Sequence, residues 1–182
     1  VTDTLPAWLD RIYYHTGIRA VTADITKWNL HENPPLTLLK PNQIFDVLNE
    51  KDFTLGIPQM ADACAHLKRL FDAGHDVSIV TARYGTNCMP ETLVWLSEMM
   101  PWLKIDKKVW FVHDKHRITG DLLIDDKAEN LILYRETFPE AKLITIDYPY
   151  NKNAPADTLR VHKNGYEWEQ IERLVNELSN NR

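Results

Sequence analysis

Three short stretches of the sequence end hydrophobic runs in groups suited to handling a phosphoryl anion. Val77-Ser78-Ile79-Val80 leads into Thr81-Ala82-Arg83, a hydroxyl followed by small-residue backbone against which an anion can be held. Lys108-Val109-Trp110-Phe111-Val112 leads into His113-Asp114-Lys115, and Leu122-Leu123-Ile124 leads into Asp125-Asp126. Ligands of open parallel sheets sit beyond the carboxyl ends of the strands. If the three runs are neighbouring strands, a hydroxyl, an ammonium and a carboxylate pair share one sheet edge. Phosphoryl transfer is mostly positioning and electrostatic stabilisation of a negatively charged group. In that chemistry Lys115 would neutralise phosphate oxygens, and Thr81 with nearby backbone N–H groups would hydrogen-bond them. A carboxylate of Asp125 or Asp126 would hold a hard divalent ion, Mg²⁺ with several waters retained. Each feature alone has an ordinary counterpart: a turn threonine, a solvated lysine, a helix N-cap aspartate. Their conjunction at three successive strand ends favours the phosphate reading.

The elements that must position these groups follow from the hydrophobic periodicity. Apolar residues at helical spacing predict a helix over 5–14, capped by Asp3 or Thr4 and ended by Gly17. A short helix is expected over 41–48, with proline in its first turn. Met60, Ala63, Leu67, Leu70 and Phe71 share one face of a helix that Gly74 ends. Beyond the strand over 77–80 come a helix over 91–100, strands over 108–112 and 122–124, a helix over 128–137, a strand over 143–146, and an amphipathic helix over 166–178. This alternation predicts an α/β fold, a parallel sheet with helices on both faces. The polar, aromatic-containing stretch before Pro58 interrupts the alternation and is expected to be a small helical cap. The core would then comprise residues 1–18 and 56–182, and the cap residues 19–55.

Composition narrows the function classes. The net charge is −5 with no basic cluster, which argues against long nucleic acid but leaves a phosphorylated small molecule open. No apolar run is long enough to span a bilayer. The two cysteines, Cys64 and Cys88, form no disulfide framework and no metal-ligand spacing, which suits a cytoplasmic, reducing compartment.

The same residues resemble the haloacid dehalogenase (HAD) superfamily. Val77-Ser78-Ile79-Val80-Thr81 is similar to its second motif, Lys115 to its third-motif lysine, and Asp121-Leu122-Leu123-Ile124-Asp125-Asp126 to its fourth, acidic motif. Within the superfamily the chain most resembles the 5'(3')-deoxyribonucleotidases. The carrying stretches are Asp3-Thr4-Leu5, Asp24-Ile25-Thr26-Lys27-Trp28, Val80-Thr81-Ala82-Arg83, Asp114-Lys115, the run from Gly120 to Lys127, Asp147-Tyr148-Pro149-Tyr150-Asn151 and Trp168. The resemblance implies a HAD-like Rossmannoid fold and Mg²⁺-dependent hydrolysis of nucleoside monophosphates through an aspartyl-phosphate. It implies phosphate contacts from Thr81, Ala82 and Arg83, neutralisation by Lys115, and a metal ligand at Asp126 with Asp125 beside it. Trp28, Phe45 and Phe53 of the cap are candidates to pack against the base, although each taken singly reads more simply as cap core. The partner is a small nucleotide rather than a membrane. The C-terminal helix is free to cover the sheet or to face a second subunit in a homodimer.

One motif of that family has no counterpart between Val1 and Arg182, the Asp-x-Asp that supplies its nucleophile and its acid–base. Asp3 corresponds to a position shortly after it, and the chain opens on Val1 rather than methionine, so the motif is expected just upstream. The alternatives are a processed or engineered fragment, a HAD-like module that binds nucleotide without catalysis, and a phosphatase for another small phosphate ester. Packing favours an upstream segment. The family places the corresponding strand between those ending at Thr81 and Asp125, and each buried backbone group left unpaired costs about 1–3 kcal/mol.

Overall fold

A computed structural model of the chain describes residues 1–180. Among the described residues, five short parallel strands lie in two sheets. β1 (Ile79–Thr81) pairs with β2 (Val109–Phe111), and β3 (Leu122–Ile124), β4 (Lys142–Ile146) and β5 (Leu159–Val161) pair in that order. The register sets Thr81 opposite Phe111 and Ile124 opposite Ile144, so the ends expected to carry chemistry point the same way within each pair.

Among the described residues the α-helices are α1 (Thr4–Thr16), α2 (Pro41–Phe45), α3 (Ala63–Asp72), α4 (Cys88–Met99), α5 (Ile105–Lys108), α6 (Ala128–Thr137) and α7 (Glu167–Asn180). Period-two alternation along the strands explains how helices come to cover both faces. Leu123 and Leu143 face a cluster with Leu131 and Tyr134 of α6. Their neighbours Leu122, Ile124, Ile144 and Ile146 face the larger core, built with Leu67 and Leu70 of α3, Trp95 and Leu96 of α4, and Trp168 and Ile171 of α7. The mixed α/β architecture with parallel strands and helices on both faces is the one expected. Phe71 departs from its expected stripe: it is 39% exposed and rests on Trp102 instead.

A second core lies in the cap. It gathers Ile25, Leu30, Leu36, Ile44, Val47 and Phe53, and α1 contributes Leu9 and Ile12 to it. Residues 4–16, expected with the main layers, therefore bury their apolar face against the cap. Gly17 ends α1 in the left-handed region, φ 70°, with its N–H donated to the Tyr13 carbonyl at 2.8 Å. That is a conformation glycine adopts without steric cost.

Cap and sheet layers are joined by a polar seam at the N-terminus of α4. Asn87, the residue preceding that helix, makes no side-chain capping bond. The cap performs the task instead: Asn49 Oδ1 accepts the N–H groups of Asn87 (2.9 Å) and Cys88 (3.4 Å), and Asn87 Nδ2 donates to the Asn49 carbonyl (2.9 Å). A turn further on, the buried carboxylate of Glu91 accepts the N–H groups of Asp52 (2.7 Å) and Thr54 (3.0 Å). Gly85 makes this approach possible, since a Cβ there would lie 2.4 Å from Asn49 Oδ1.

Candidate active site

The loop after β3 brings the acidic pair and the lysine together. Asp125 is buried, its side chain 1% exposed, and both of its oxygens are engaged. Oδ2 accepts Lys115 Nζ at 2.6 Å, while Oδ1 accepts the Lys127 N–H (2.9 Å) and Asn130 Nδ2 (3.0 Å). Lys127 and Asn130 belong to the start of α6, so the carboxylate also caps that helix and meets the positive end of its dipole. Asp126 is half-buried and differently placed. Its Oδ2 accepts the Tyr150 hydroxyl at 3.0 Å, and its Oδ1 accepts no hydrogen bond among the described residues. Burial and then the adjacent Asp125 charge push the Asp126 carboxyl above the usual carboxylate range, with Lys115 and the Tyr150 hydroxyl pulling the other way.

The turn after β4 supports this loop from beneath. Asn151 is fully buried, and its Nδ2 donates to the main-chain oxygens of Asp126 (3.0 Å) and Ile146 (2.8 Å) and to Thr145 Oγ1 (3.0 Å). Its Oδ1 accepts the Tyr148 N–H (3.2 Å) and Arg160 Nη1 (3.2 Å). Arg160 also pairs with Asp147 at 2.8 Å, as does Lys152. The bond from Lys152, with Arg160 adding to it, holds the Asp147 carboxyl below its ordinary range despite partial burial.

At the end of β1 the Thr81 hydroxyl accepts the Arg83 N–H at 3.3 Å, and Ala82 is exposed. Arg83 turns back to the start of the chain, where Nη2 donates to the hydroxyls of Thr2 (2.7 Å) and Thr4 (2.6 Å). Val1 is near enough to Asp126, Arg83 and Lys115 for their charges to act on its nitrogen. The segment is held there by Met60 N–H to the Val1 carbonyl (2.8 Å) and Asp3 N–H to the Pro58 carbonyl (2.9 Å).

Of the three cap aromatics, the structure brings Trp28 to this loop. Its ring meets Tyr150 edge-on at 5.5 Å, the Lys127 ammonium lies 5.6 Å from its centroid, and the ring is 44% exposed. The fully buried Asn33 shapes the loop that presents it. Asn33 Oδ1 accepts the N–H groups of Thr26 and Lys27, both at 2.8 Å, and its Nδ2 donates to the carbonyls of Lys27 and Asn29. Phe45 lies elsewhere in the cap against Trp8 and His31. Phe53 is 4% exposed in the cap core beneath the Arg11 guanidinium, beside a concavity formed with Ala7, Asp10, Tyr14 and Gly56. Sequence reasoning assigned no role to Asn33, Asn49, Glu91 or Asn151, polar residues whose full or partial burial no local pattern marks.

The donor set suits a cation that keeps much of its water. No three His, Cys, Asp or Glu side chains assemble a cage among the described residues. Mg²⁺ is commonly held by one or two carboxylates plus water and substrate phosphate, so a single half-buried carboxylate with one unengaged oxygen fits it. Among the described residues no helix is long and apolar enough to cross a membrane.

No curated protein matches the chain as a close relative. Residues 1–179 match the family described as "5' nucleotidase, deoxy (Pyrimidine), cytosolic type C protein", and the chain belongs to that HAD-like family of nucleotidases.

Proposed function

We propose that the chain hydrolyses nucleoside monophosphates, deoxyribonucleotides foremost, in an Mg²⁺-dependent reaction that passes through an aspartyl-phosphate. The observation that carries this reading is the Lys115–Asp125–Asp126 cluster lying beside the cap's exposed Trp28. Asp126, through its unengaged oxygen, would hold the ion, whose chemistry is to neutralise phosphate charge. Asp125 keeps the Lys115 ammonium at the mouth of the site, where it binds phosphate oxygens. Thr81 and the exposed backbone of Ala82 hydrogen-bond the same group. Arg83 steadies the start of the chain through Thr2 and Thr4. Trp28 offers a ring for the base. Base–aromatic stacking is worth about 1–3 kcal/mol and tolerates any base, which fits a broad substrate range. The compartment is the cytosol, as the family's description has it.

Phosphate release from a panel of nucleoside monophosphates, measured on the full-length protein with and without EDTA, tests the proposal. Metal-dependent turnover on at least one nucleotide is expected. Nucleotide binding with no turnover across the panel would replace it with the reading of a non-catalytic binding module. Turnover confined to sugar phosphates would move the substrate class.

A further inference from the structure

Tyr150 occupies a position that the phosphate chemistry leaves unused. It packs against both the sheet core and the cap core. One face stacks on Tyr148, centroids 5.0 Å apart and planes 11° from parallel, and Trp28 of the cap meets the ring edge-on at 5.5 Å. Tyr148 in turn meets the Lys163 ammonium, 4.8 Å from its centroid. The ring of Tyr150 therefore has little freedom, and its hydroxyl is delivered to Asp126 Oδ2 at 3.0 Å. The next residue, Asn151, holds the main-chain oxygen of the same aspartate at 3.0 Å. Two successive residues of one turn thus fix both ends of Asp126. The bond to Oδ2 leaves Oδ1 as the carboxylate oxygen without a hydrogen bond among the described residues.

We propose that Tyr150 is a positioning residue that sets the rotamer of Asp126 for Mg²⁺ and ties it to the seating of Trp28. This rests on the reading of Asp126 as the metal carboxylate. Groups that orient a ligating side chain from behind typically change metal affinity or activity about 10–100-fold when removed. A residue serving only to fill the seam between cap and sheet would act through its ring, not through its hydroxyl.

Tyr150→Phe separates the two roles, because it keeps every ring contact and deletes the oxygen. Two measurements are made on full-length protein: the thermal midpoint titrated with MgCl2 alone, and steady-state turnover of a deoxyribonucleoside monophosphate across Mg²⁺ concentrations. In Tyr150→Phe the Mg²⁺ concentration giving half the effect should rise about tenfold or more in both. kcat should fall while KM for the nucleotide at saturating Mg²⁺ stays within about twofold of wild type, because a role confined to the metal moves the one and not the other. Trp28→Ala should weaken Mg²⁺ half-saturation in wild type and add nothing in the Tyr150→Phe background. Unchanged Mg²⁺ dependence in Tyr150→Phe, alongside Mg²⁺-dependent wild-type turnover, would overturn the inference and leave the proposed activity standing. A wild-type protein with neither an Mg²⁺-dependent midpoint nor turnover would overturn both.

Discussion

Lys115 and Asp125 form a buried ion pair, 2.6 Å apart, with the carboxylate 1% and the lysine side chain 17% exposed. At the level of sequence, Lys115 sits at a strand end outside any core stripe, so replacing it should spare the fold. The pair changes that expectation. Lys115→Ala removes phosphate neutralisation and also leaves a buried carboxylate with only the Lys127 N–H and Asn130 as donors. Breaking a buried pair from one side costs about 3–5 kcal/mol. Turnover should be lost and the urea midpoint should fall together. Lys115→Ala/Asp125→Asn should recover much of the stability and none of the activity, as urea unfolding and phosphate release can show.

The Trp28 loop depends on one amide. Asn33→Ala strips the acceptor from the Thr26 and Lys27 N–H groups and the donor from the carbonyls of Lys27, Asn29 and Leu30. Each buried group left unsatisfied costs about 1–3 kcal/mol, and a total loss of about 2–4 kcal/mol is expected after partial relaxation. On the proposed role of Trp28 toward the base, KM for nucleotide should rise more than kcat falls. Chemical denaturation and a KM series measure the two effects separately.

The seam at α4 predicts a non-additive pair. Asn49→Ala removes a helix cap, a change worth about 1 kcal/mol. Gly85→Ala sets a Cβ 2.4 Å from Asn49 Oδ1 at a backbone φ of +133°, so strain and clash add, about 2–4 kcal/mol in all. In an Asn49→Ala background the clash disappears and only the backbone strain of Gly85→Ala remains. A double-mutant cycle in urea should therefore give a coupling of about 1 kcal/mol or more.

Asp147 predicts part of the acid limb of stability. Its carboxyl is held below the ordinary range by Lys152 first and Arg160 next. A group with a depressed folded-state value contributes stability above the unfolded carboxylate value of about 4, and loses it as pH falls through the lower folded value. Asp147→Asn should lower stability at neutral pH and flatten the loss on acidification below about pH 4. Thermal midpoints between neutral and strongly acidic pH give the test. An acid limb as steep as wild type's would count against it.

Much of this arrangement was legible in the sequence, and the exceptions share a cause. The apolar runs ending near Thr81 and at Ile124 marked their strands, and the residues after them are those of the proposed site. β5 escaped notice because Leu159-Arg160-Val161 is three residues long with an arginine at its centre, whose guanidinium is spent on Asp147 and Asn151. Helix α4 begins earlier, at Cys88, than its apolar pattern suggests, because its cap comes from Asn49, 38 residues away from Asn87. Periodicity showed which face of α1 is apolar but not which core would receive it. Trp28 and Phe53 have the same composition cue, yet one lies at the carboxylates and the other inside the cap. What separates them is Asn33, a polar residue whose burial no local pattern announces.

The trans-capping of α4 also constrains how nucleotide can reach the carboxylates. Swinging residues 46–54 outward would expose the Asn87 and Cys88 amides and strand the Glu91 carboxylate, so that margin behaves as a fulcrum. Any breathing of the cap should then be largest at the opposite rim, where the loop bearing Trp28 leans on Tyr150 through ring contacts alone. Substrate admission and the seating of Asp126 would in that case be a single event, felt first at one aromatic edge.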